Sequence, residues 1–180
     1  MTASPSQPTV FISYSHDCDT WQAQGLDPAT HIKRVFDLAE RLRAEGVECV
    51  IDQHVASPPE GWPRWMMDNI EGSHFVLVVA TEVYNRRFRG HGATNQGFGA
   101  QWEGAIITQE LYEANGKNKK FLPIIFDSDD ARHIPLPLRS ATFYNVSDQR
   151  SYDSLYYYIT NQPPPVRPLG SMRRRPAANP

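Results

Sequence analysis

Five short apolar runs recur along the chain, and each has the length of a β-strand. They lie at residues 9–14, 47–51, 75–80, 121–126 and 142–146. No charged residue interrupts Val10, Phe11 and Ile12, or the run at 75–80, and this is typical of strands that helices cover on both faces. Pro123 lies inside the fourth run and predicts a bulge or imperfect pairing there.

Helical spacing appears between these runs. Asp27 and Pro28 predict the start of a helix, apolar residues then recur at three- and four-residue intervals, and Gly46 predicts its end. Further helices are predicted at residues 62–70, 100–115 and 152–159. Residues 81–99 predict a long loop that contains glycines. A loop of that length is more often functional or mobile than a simple connection.

The alternation of strands and helices predicts an α/β fold. We expect a flavodoxin-like, five-stranded parallel sheet of order 2-1-3-4-5 with helices on both faces. Strands one and three are neighbours in this order, at the point where strand order reverses, and ligands bind at the carboxyl edge there. The ends of the first three strands bring together the residues predicted to line one rim: Ser13 to His16, Asp52, and Thr81 to Tyr84.

Length and composition fit one domain. The chain has 180 residues, of which 40% are hydrophobic and 21% charged. We expect a disordered segment at residues 1–8, the domain at 9–162 and a Pro/Arg-rich tail or linker at 163–180. The net charge of −2 predicts no direct binding of nucleic acid, and no apolar run approaches the ~20 residues of a membrane span. The two cysteines are far apart, so we expect no disulfide framework and a cytoplasmic protein.

Glu103 is the strongest candidate for chemistry. It lies early in the helix predicted after strand three, in line with Ile106, Ile107 and Glu110, so its carboxylate can face a ligand from the edge of an apolar stripe. The alternative is that Glu103 only complements the helix dipole, as glutamates in first turns commonly do. No Gly-rich phosphate loop follows strand one, and no cluster has the spacing of metal ligands.

Aromatic and basic residues each leave two interpretations open. Trp62 and Trp65 suit the cover of a ligand, but their spacing favours the anchoring of a short helix to the core. The guanidinium groups of Arg86, Arg87 and Arg89 suit a pyrophosphate, but a solvated loop or a protein contact is the favoured interpretation.

Five sequence boxes, in this order, resemble those of TIR and SEFIR domains. They are VFISYSHD at 10–17, LAERLR at 38–43 with GVECVID at 46–52, PPEGW at 58–62, FVLVVAT at 75–81 with Tyr84, and FLPIIF at 121–126. The resemblance covers residues 9–161 and implies the same flavodoxin-like fold.

Many TIR domains in bacterial and plant immunity cleave NAD+ to nicotinamide and an ADP-ribose product, some of it cyclised. Their catalytic glutamate lies early in the helix after strand three, so the resemblance implies this role for Glu103, with Glu82 and Glu110 as alternative carboxylates. Many also carry a tryptophan four residues earlier, where this chain has Gly99. The substrate-binding residues implied with Glu103 are Ser13, Tyr14, Asp52, Trp62, Thr81, Tyr84, Phe98 and Trp102, with either Trp102 or Phe98 as the aromatic wall.

One carboxylate suffices for this reaction. Nicotinamide leaves a pyridinium as a neutral molecule and needs no general acid, so the remaining task is to stabilise the positive charge that develops on the ribose. NAD+ is then the substrate, and neither a separate cofactor nor a metal is required.

The resemblance also implies partners. It implies self-association into an oligomer or filament in which the loop at 53–62 of a neighbouring copy completes the site, and a sensor domain in the same or a partner chain. Such an effector would act in anti-phage-type immune signalling. Two other functions stay open: a non-catalytic SEFIR/TIR adaptor that acts by homotypic association, and a generic flavodoxin-like binding domain.

Overall fold

A parallel β-sheet organises the structure, which is a computed structural model describing residues 7–16, 27–90, 98–113 and 117–172, with side chains of 98–113 described from Gly104 onward. The strands are β1 (Thr9–Ser13), β2 (Glu48–Val50), β3 (Phe75–Val79), β4 (Phe121–Ile125) and β5 (Tyr144–Asn145). Their order is β2-β1-β3-β4-β5, and every neighbouring pair is parallel. The predicted fold class and strand order are confirmed.

Five α-helices are described around the sheet. They are α1 (Pro28–Ala44), α2 (Trp62–Gly72), α3 (Glu82–Phe88), α4 (Phe98–Glu113) and α5 (Gln149–Ile159), with short 3-10 turns at Asp52–His54, Ser128–His133 and Leu136–Leu138. The start of α1 is as predicted, because the Asp27 carboxylate accepts a hydrogen bond from the backbone N–H of Ala29 at 3.0 Å. Its end is as predicted too, since Gly46 has a φ of +90° just beyond the helix.

The sheet is buried on both faces because successive side chains point to opposite sides. Val10 and Ile12 of β1 face one core with α1 and α5, whereas Phe11 faces the other core with α2, α3 and α4. β3 is the middle strand, and its residues from Val76 to Val79 are fully buried. This burial explains the absence of charged residues from Val10 to Ile12 of β1 and from β3, which are adjacent strands at the centre of the sheet.

The long loop predicted at residues 81–99 is wrong in its first half, where α3 lies. Thr81 caps this helix with its side chain, and the buried face of the helix consists of Val83, Tyr84 and Arg87. An aromatic residue and an arginine do not form the apolar stripe by which an amphipathic helix is recognised. The part of the predicted loop at residues 91–97 lies outside the described residues.

The irregular pairing predicted at Pro123 is also wrong. β3 and β4 pair without interruption, with Val78 opposite Pro123. The backbone N–H of Val76 donates to Lys120 and that of Ala80 to Ile124, both at 2.9 Å. Groups along a parallel strand alternate between its two neighbours, so the nitrogen of Pro123 faces β5, whose pairing with β4 begins only at Ile124. Proline therefore removes no hydrogen bond of the ladder.

The predicted domain limits at residues 9–162 stay a prediction. Residues 1–6 and 173–180 lie outside the described residues, and residues 163–172 are exposed, without helix or strand. Within the described ranges, none of the helices combines the length and apolar character needed to cross a membrane. Cys49 is buried and free, whereas Cys18 lies outside the described residues.

Candidate functional site

The carboxyl end of β1 supplies side chains to two hydrogen-bonded groups. Successive residues of an extended chain point to opposite sides, and this alternation continues beyond β1 to His16. Ser13 and Ser15 point towards α3, whereas Tyr14 and His16 point towards the segment after β2. We call these groups the serine side (Ser13, Ser15, Thr81, Tyr84 and Arg87) and the tyrosine side (Tyr14, His16, Asp52 and Gln53) of the rim.

The serine side joins β1 to α3 through buried hydrogen bonds. The hydroxyl oxygens of Ser13 and Tyr84 lie 2.6 Å apart, and both residues are fully buried. The Thr81 hydroxyl accepts a hydrogen bond from the backbone N–H of Tyr84 at 3.1 Å. Arg87 Nη1 donates to Ser15 Oγ at 3.2 Å, and Arg87 is only 8% exposed. The predicted solvated loop is therefore wrong for Arg87, whose guanidinium group belongs to the rim.

The tyrosine side is organised by the Asp52 carboxylate. Tyr14 donates its hydroxyl proton to Asp52 Oδ1 at 2.8 Å and accepts from Gln53 Nε2 at 2.9 Å, while His16 Nε2 lies 2.6 Å from Asp52 Oδ2. Burial would raise the pKa of the Asp52 carboxyl, but the hydrogen bond and charge of His16, with the Tyr14 hydroxyl, outweigh burial and lower that pKa. Asp52 is therefore ionised at neutral pH and orients both rings.

His31 of α1 lies next to the tyrosine side and is 4% exposed. Its ring centroid is 6.2 Å from the centroid of Tyr14 and 6.2 Å from that of Phe126. Burial, and then the charge of Arg34, lowers the pKa of His31 to about 4. The imidazole is consequently neutral at physiological pH and packs as a core residue beside the rim.

The segment after β2 leads from the rim to two tryptophans. Gln53 Nε2 also donates to the backbone oxygen of Ile32 at 3.2 Å. Trp65 is buried with its ring edge-on to Phe11, at a centroid distance of 5.7 Å, and so anchors α2 to the sheet as predicted. Trp62 is 40% exposed and packs edge-on against Trp65 at 5.6 Å. Among the described hydrogen bonds, none joins Trp62 to either side of the rim.

The predicted catalytic glutamate lies on α4. Glu103, Phe98 and Trp102 belong to this helix, and their side chains lie outside the described part of the structure. The next residue, Gly104, packs closely against the end of α3. A Cβ atom added to Gly104 would lie 3.0 Å from the carbonyl oxygen of Phe88 and 3.1 Å from its Cα atom. The backbone of α4 thus contacts α3 one residue after Glu103.

The two alternative carboxylates have other surroundings. Glu110 Oε2 lies 3.0 Å from the Nζ atom of Lys120, which directly precedes β4. Glu110 is therefore held at the amino edge of the sheet, opposite to the rim. Glu82 is exposed in the first turn of α3, where a carboxylate complements the helix dipole. Glu110 therefore lies away from the rim, whereas Glu82 directly follows Thr81 of the serine side.

No metal site emerges from the part of the chain that the structure describes, since no three His, Cys, Asp or Glu side chains there are grouped to hold an ion. The rim instead offers hydroxyl groups, one ionised carboxylate, an imidazole and a guanidinium group. Such groups suit the hydroxyls and phosphates of a nucleotide, because hydroxyls and guanidinium donate hydrogen bonds to phosphate and carboxylates accept them from ribose.

Two rim residues, Gln53 and Arg87, were not among the residues predicted to line the rim, which included Ser15 and His16. Alternation beyond β1 is the signal that assigns Ser15 to the side of Ser13, and His16 to the side of Tyr14. For Arg87 the signal is its position three residues after Tyr84, on the same face of a helix. The sequence carries no comparable signal for Gln53, whose role depends on how the chain turns after β2.

Comparison with known proteins identifies the family. The family model described as a TIR domain matches residues 10–156. This chain belongs to the TIR domain family. No curated protein matches the chain at the level taken as significant.

Two solved structures are similar to this TIR domain. One is a prokaryotic SEFIR domain, with 27% identity and a TM-score of 0.59 over 85% of this chain and 99% of the other. The second is a metazoan TIR-STING receptor from C. gigas in complex with 2′,3′-cGAMP, with 22% identity and a TM-score of 0.56. The match to the receptor covers 92% of this chain but only 43% of the receptor, and it shows the likeness of fold alone.

Proposed function

We propose that this TIR domain is an NAD+ glycohydrolase that cleaves the bond between nicotinamide and ribose, with Glu103 as its catalytic carboxylate. The observation that carries the proposal is the close packing of α4 on α3 at Gly104, the residue after Glu103. α3 is in turn bonded to the end of β1 through Tyr84 and Ser13. The backbone of the glutamate therefore belongs to a helix whose neighbour forms the serine side of the rim.

The reaction requires one well-positioned negative charge from the protein. Cleavage moves the bonding electrons to the nicotinamide nitrogen and leaves positive charge on the ribose, and a fixed carboxylate stabilises this charge more in the transition state than in the ground state. Water then adds to the ribose carbon and loses a proton to give ADP-ribose, or a nucleophile within the same molecule gives a cyclic product. The rim groups orient the nucleotide, and Asp52 and His16 are the more exposed members of the rim, suited to direct contact, whereas Ser15 and Arg87 are buried and bonded to each other.

Assembly is part of the proposal. The loop between Gln53 and Trp62 is fixed at both ends, by hydrogen bonds of Gln53 and by the packing of Trp62 on Trp65, while Ser57 and Glu60 between them are exposed. A loop with fixed ends and an exposed middle suits insertion into a neighbouring copy. We expect activity in anti-phage-type immune signalling only after self-association, in response to a sensor domain in the same or a partner chain.

Release of nicotinamide tests this function against the alternative of a non-catalytic adaptor. The purified domain is assayed in dilute solution and after clustering on beads, with NAD+ as substrate. Glu103→Ala is compared with Glu113→Ala, which removes an exposed carboxylate at the end of the same helix. We expect clustering to raise the rate, Glu113→Ala to retain it, and Glu103→Ala to lower it at least 100-fold, the scale of losing a key electrostatic group. Self-association without nicotinamide release would instead establish the adaptor.

A further inference from the structure

We infer that Gly104 is a positioning residue for Glu103: its missing side chain sets how closely α4 approaches α3, and thereby where the carboxylate stands relative to the rim. This inference rests on the proposed function. It concerns a residue whose side chain is a single hydrogen atom and which touches neither the rim nor the substrate.

The contact at Gly104 is unusually close and involves backbone atoms. A Cβ atom on Gly104 would lie 3.0 Å from both the carbonyl oxygen and the ring Cδ2 atom of Phe88, and 3.1 Å from the Phe88 Cα atom. Rotation of the Phe88 side chain relieves only one of these three contacts. Alanine at this position therefore requires one helix to retreat from the other.

α3 is the helix that is fixed to the rim. α3 is fixed to β1 through the fully buried hydroxyl pair of Tyr84 and Ser13, and its first turn is capped by Thr81. The Phe88 ring also packs against Tyr84, with centroids 6.2 Å apart and planes tilted by 38°. The neighbour of Gly104 thus belongs to the same rigid unit as the serine side.

The size of the shift follows from van der Waals distances. Carbon atoms prefer to be about 3.5–4.0 Å apart, so a methyl group at Gly104 requires α4 and α3 to separate by a few tenths of an ångström. The Cα atoms of Gly104 and Glu103 are about 3.8 Å apart and move together. Misplacement of a catalytic group by about 1 Å can lower a rate about 100-fold, so a shift of a few tenths of an ångström is expected to lower it by roughly 5- to 10-fold.

Helix stability does not explain why residue 104 is a glycine. Glycine is among the poorest helix formers, and alanine is the best. Ala105, the next residue, is exposed on the same helix. Helix propensity alone would therefore favour Gly104→Ala and disfavour Ala105→Gly, which makes Ala105→Gly the matched control.

The test measures nicotinamide release by the clustered domain at saturating and limiting NAD+, together with the melting temperature and the helical circular dichroism of each variant. We expect Gly104→Ala to lower kcat per folded molecule by roughly 5- to 10-fold and to leave KM within about threefold, because binding groups on the rim are unchanged. Ala105→Gly is expected to keep kcat within about threefold even though it lowers the melting temperature.

A second variant keeps the inference testable if the Gly104→Ala protein does not fold. Phe88→Trp enlarges the ring that faces Gly104 and leaves the sequence of α4 unchanged. It is also expected to lower kcat, by threefold or more. The inference is overturned if both variants keep wild-type kcat, or if the losses in all three variants simply follow the melting temperature. Absence of nicotinamide release by the clustered wild-type domain would instead refute the proposed function, and this inference with it.

Discussion

The hydroxyl pair of Ser13 and Tyr84 is the contact on which the rim depends most, and its removal has a calculable effect. Tyr84→Phe deletes one hydroxyl from a pair whose oxygens are 2.6 Å apart, in residues that are fully buried. The ring and its packing stay. Ser13→Ala deletes the other hydroxyl, and the double variant deletes both.

The expected energies follow from burial. A buried polar group that loses its partner costs about 1–3 kcal/mol, whereas removal of both partners costs less than the sum of the two single changes. We therefore expect each single variant to lower the free energy of unfolding by about 1–2 kcal/mol, and the double variant by about the same amount. The coupling energy in the double-mutant cycle should be about 1–2 kcal/mol.

Urea unfolding followed by circular dichroism measures these energies. A loss of 1–2 kcal/mol also predicts a melting temperature lower by about 2–8 °C for a domain of this size. Tyr157→Phe is a suitable control, since Tyr157 lies in α5 on the far side of the sheet from α3. The reasoning is refuted if Tyr84→Phe unfolds within about 0.3 kcal/mol of wild type, or if the two single effects add in the double variant.

Two further changes test neighbouring parts of the structure. Thr81→Ala removes the side-chain cap of α3 and should lower the free energy of unfolding by about 1 kcal/mol, with Thr81→Ser close to wild type; equal urea midpoints for both variants would contradict the cap. The pKa of His31 falls from 6.5 to about 4 in the folded domain because the ring is buried, so the unfolded chain binds a proton below pH 6.5 that the folded domain does not. Between pH 7 and pH 4.5, the free energy of unfolding should therefore fall by about 2–3 kcal/mol more in wild type than in His31→Phe. Equal losses in the two proteins would contradict a buried neutral His31. The comparison with His31→Phe is essential, because burial raises the pKa of Asp130 to about 6. Protonation of Asp130 therefore stabilises the folded domain as the pH falls through the same range.

The fold was predictable because its signals are local. Uninterrupted runs such as 75–80 define central strands without knowledge of their partners, and the alternation of runs with helices restricts the topology to parallel order. The limits of α1 were equally readable, since Asp27 and Gly46 act on residues within one turn of themselves.

The candidate site was only partly predictable because its contacts join distant residues. Ser13 and Tyr84 are 71 positions apart, and Ser15 and Arg87 are 72 apart. The fold predicts that strand ends meet, but the partner of each side chain depends on helix rotation and on the course of the chain after each strand. α3 was missed for a related reason: its buried face contains Arg87, whose burial is acceptable only beside the rim.

The proposed function depends on Glu103, and nicotinamide release by variants clustered to the same density tests it most directly. The domain is clustered to the same density for wild type, Glu103→Gln and Glu113→Gln, and nicotinamide is quantified over time with NAD+ in excess. Glutamine keeps the size of the side chain and removes only the charge. We predict that Glu113→Gln retains the wild-type rate and that Glu103→Gln loses at least a factor of about 100. Equal rates for wild type and Glu103→Gln would contradict a catalytic role for this carboxylate.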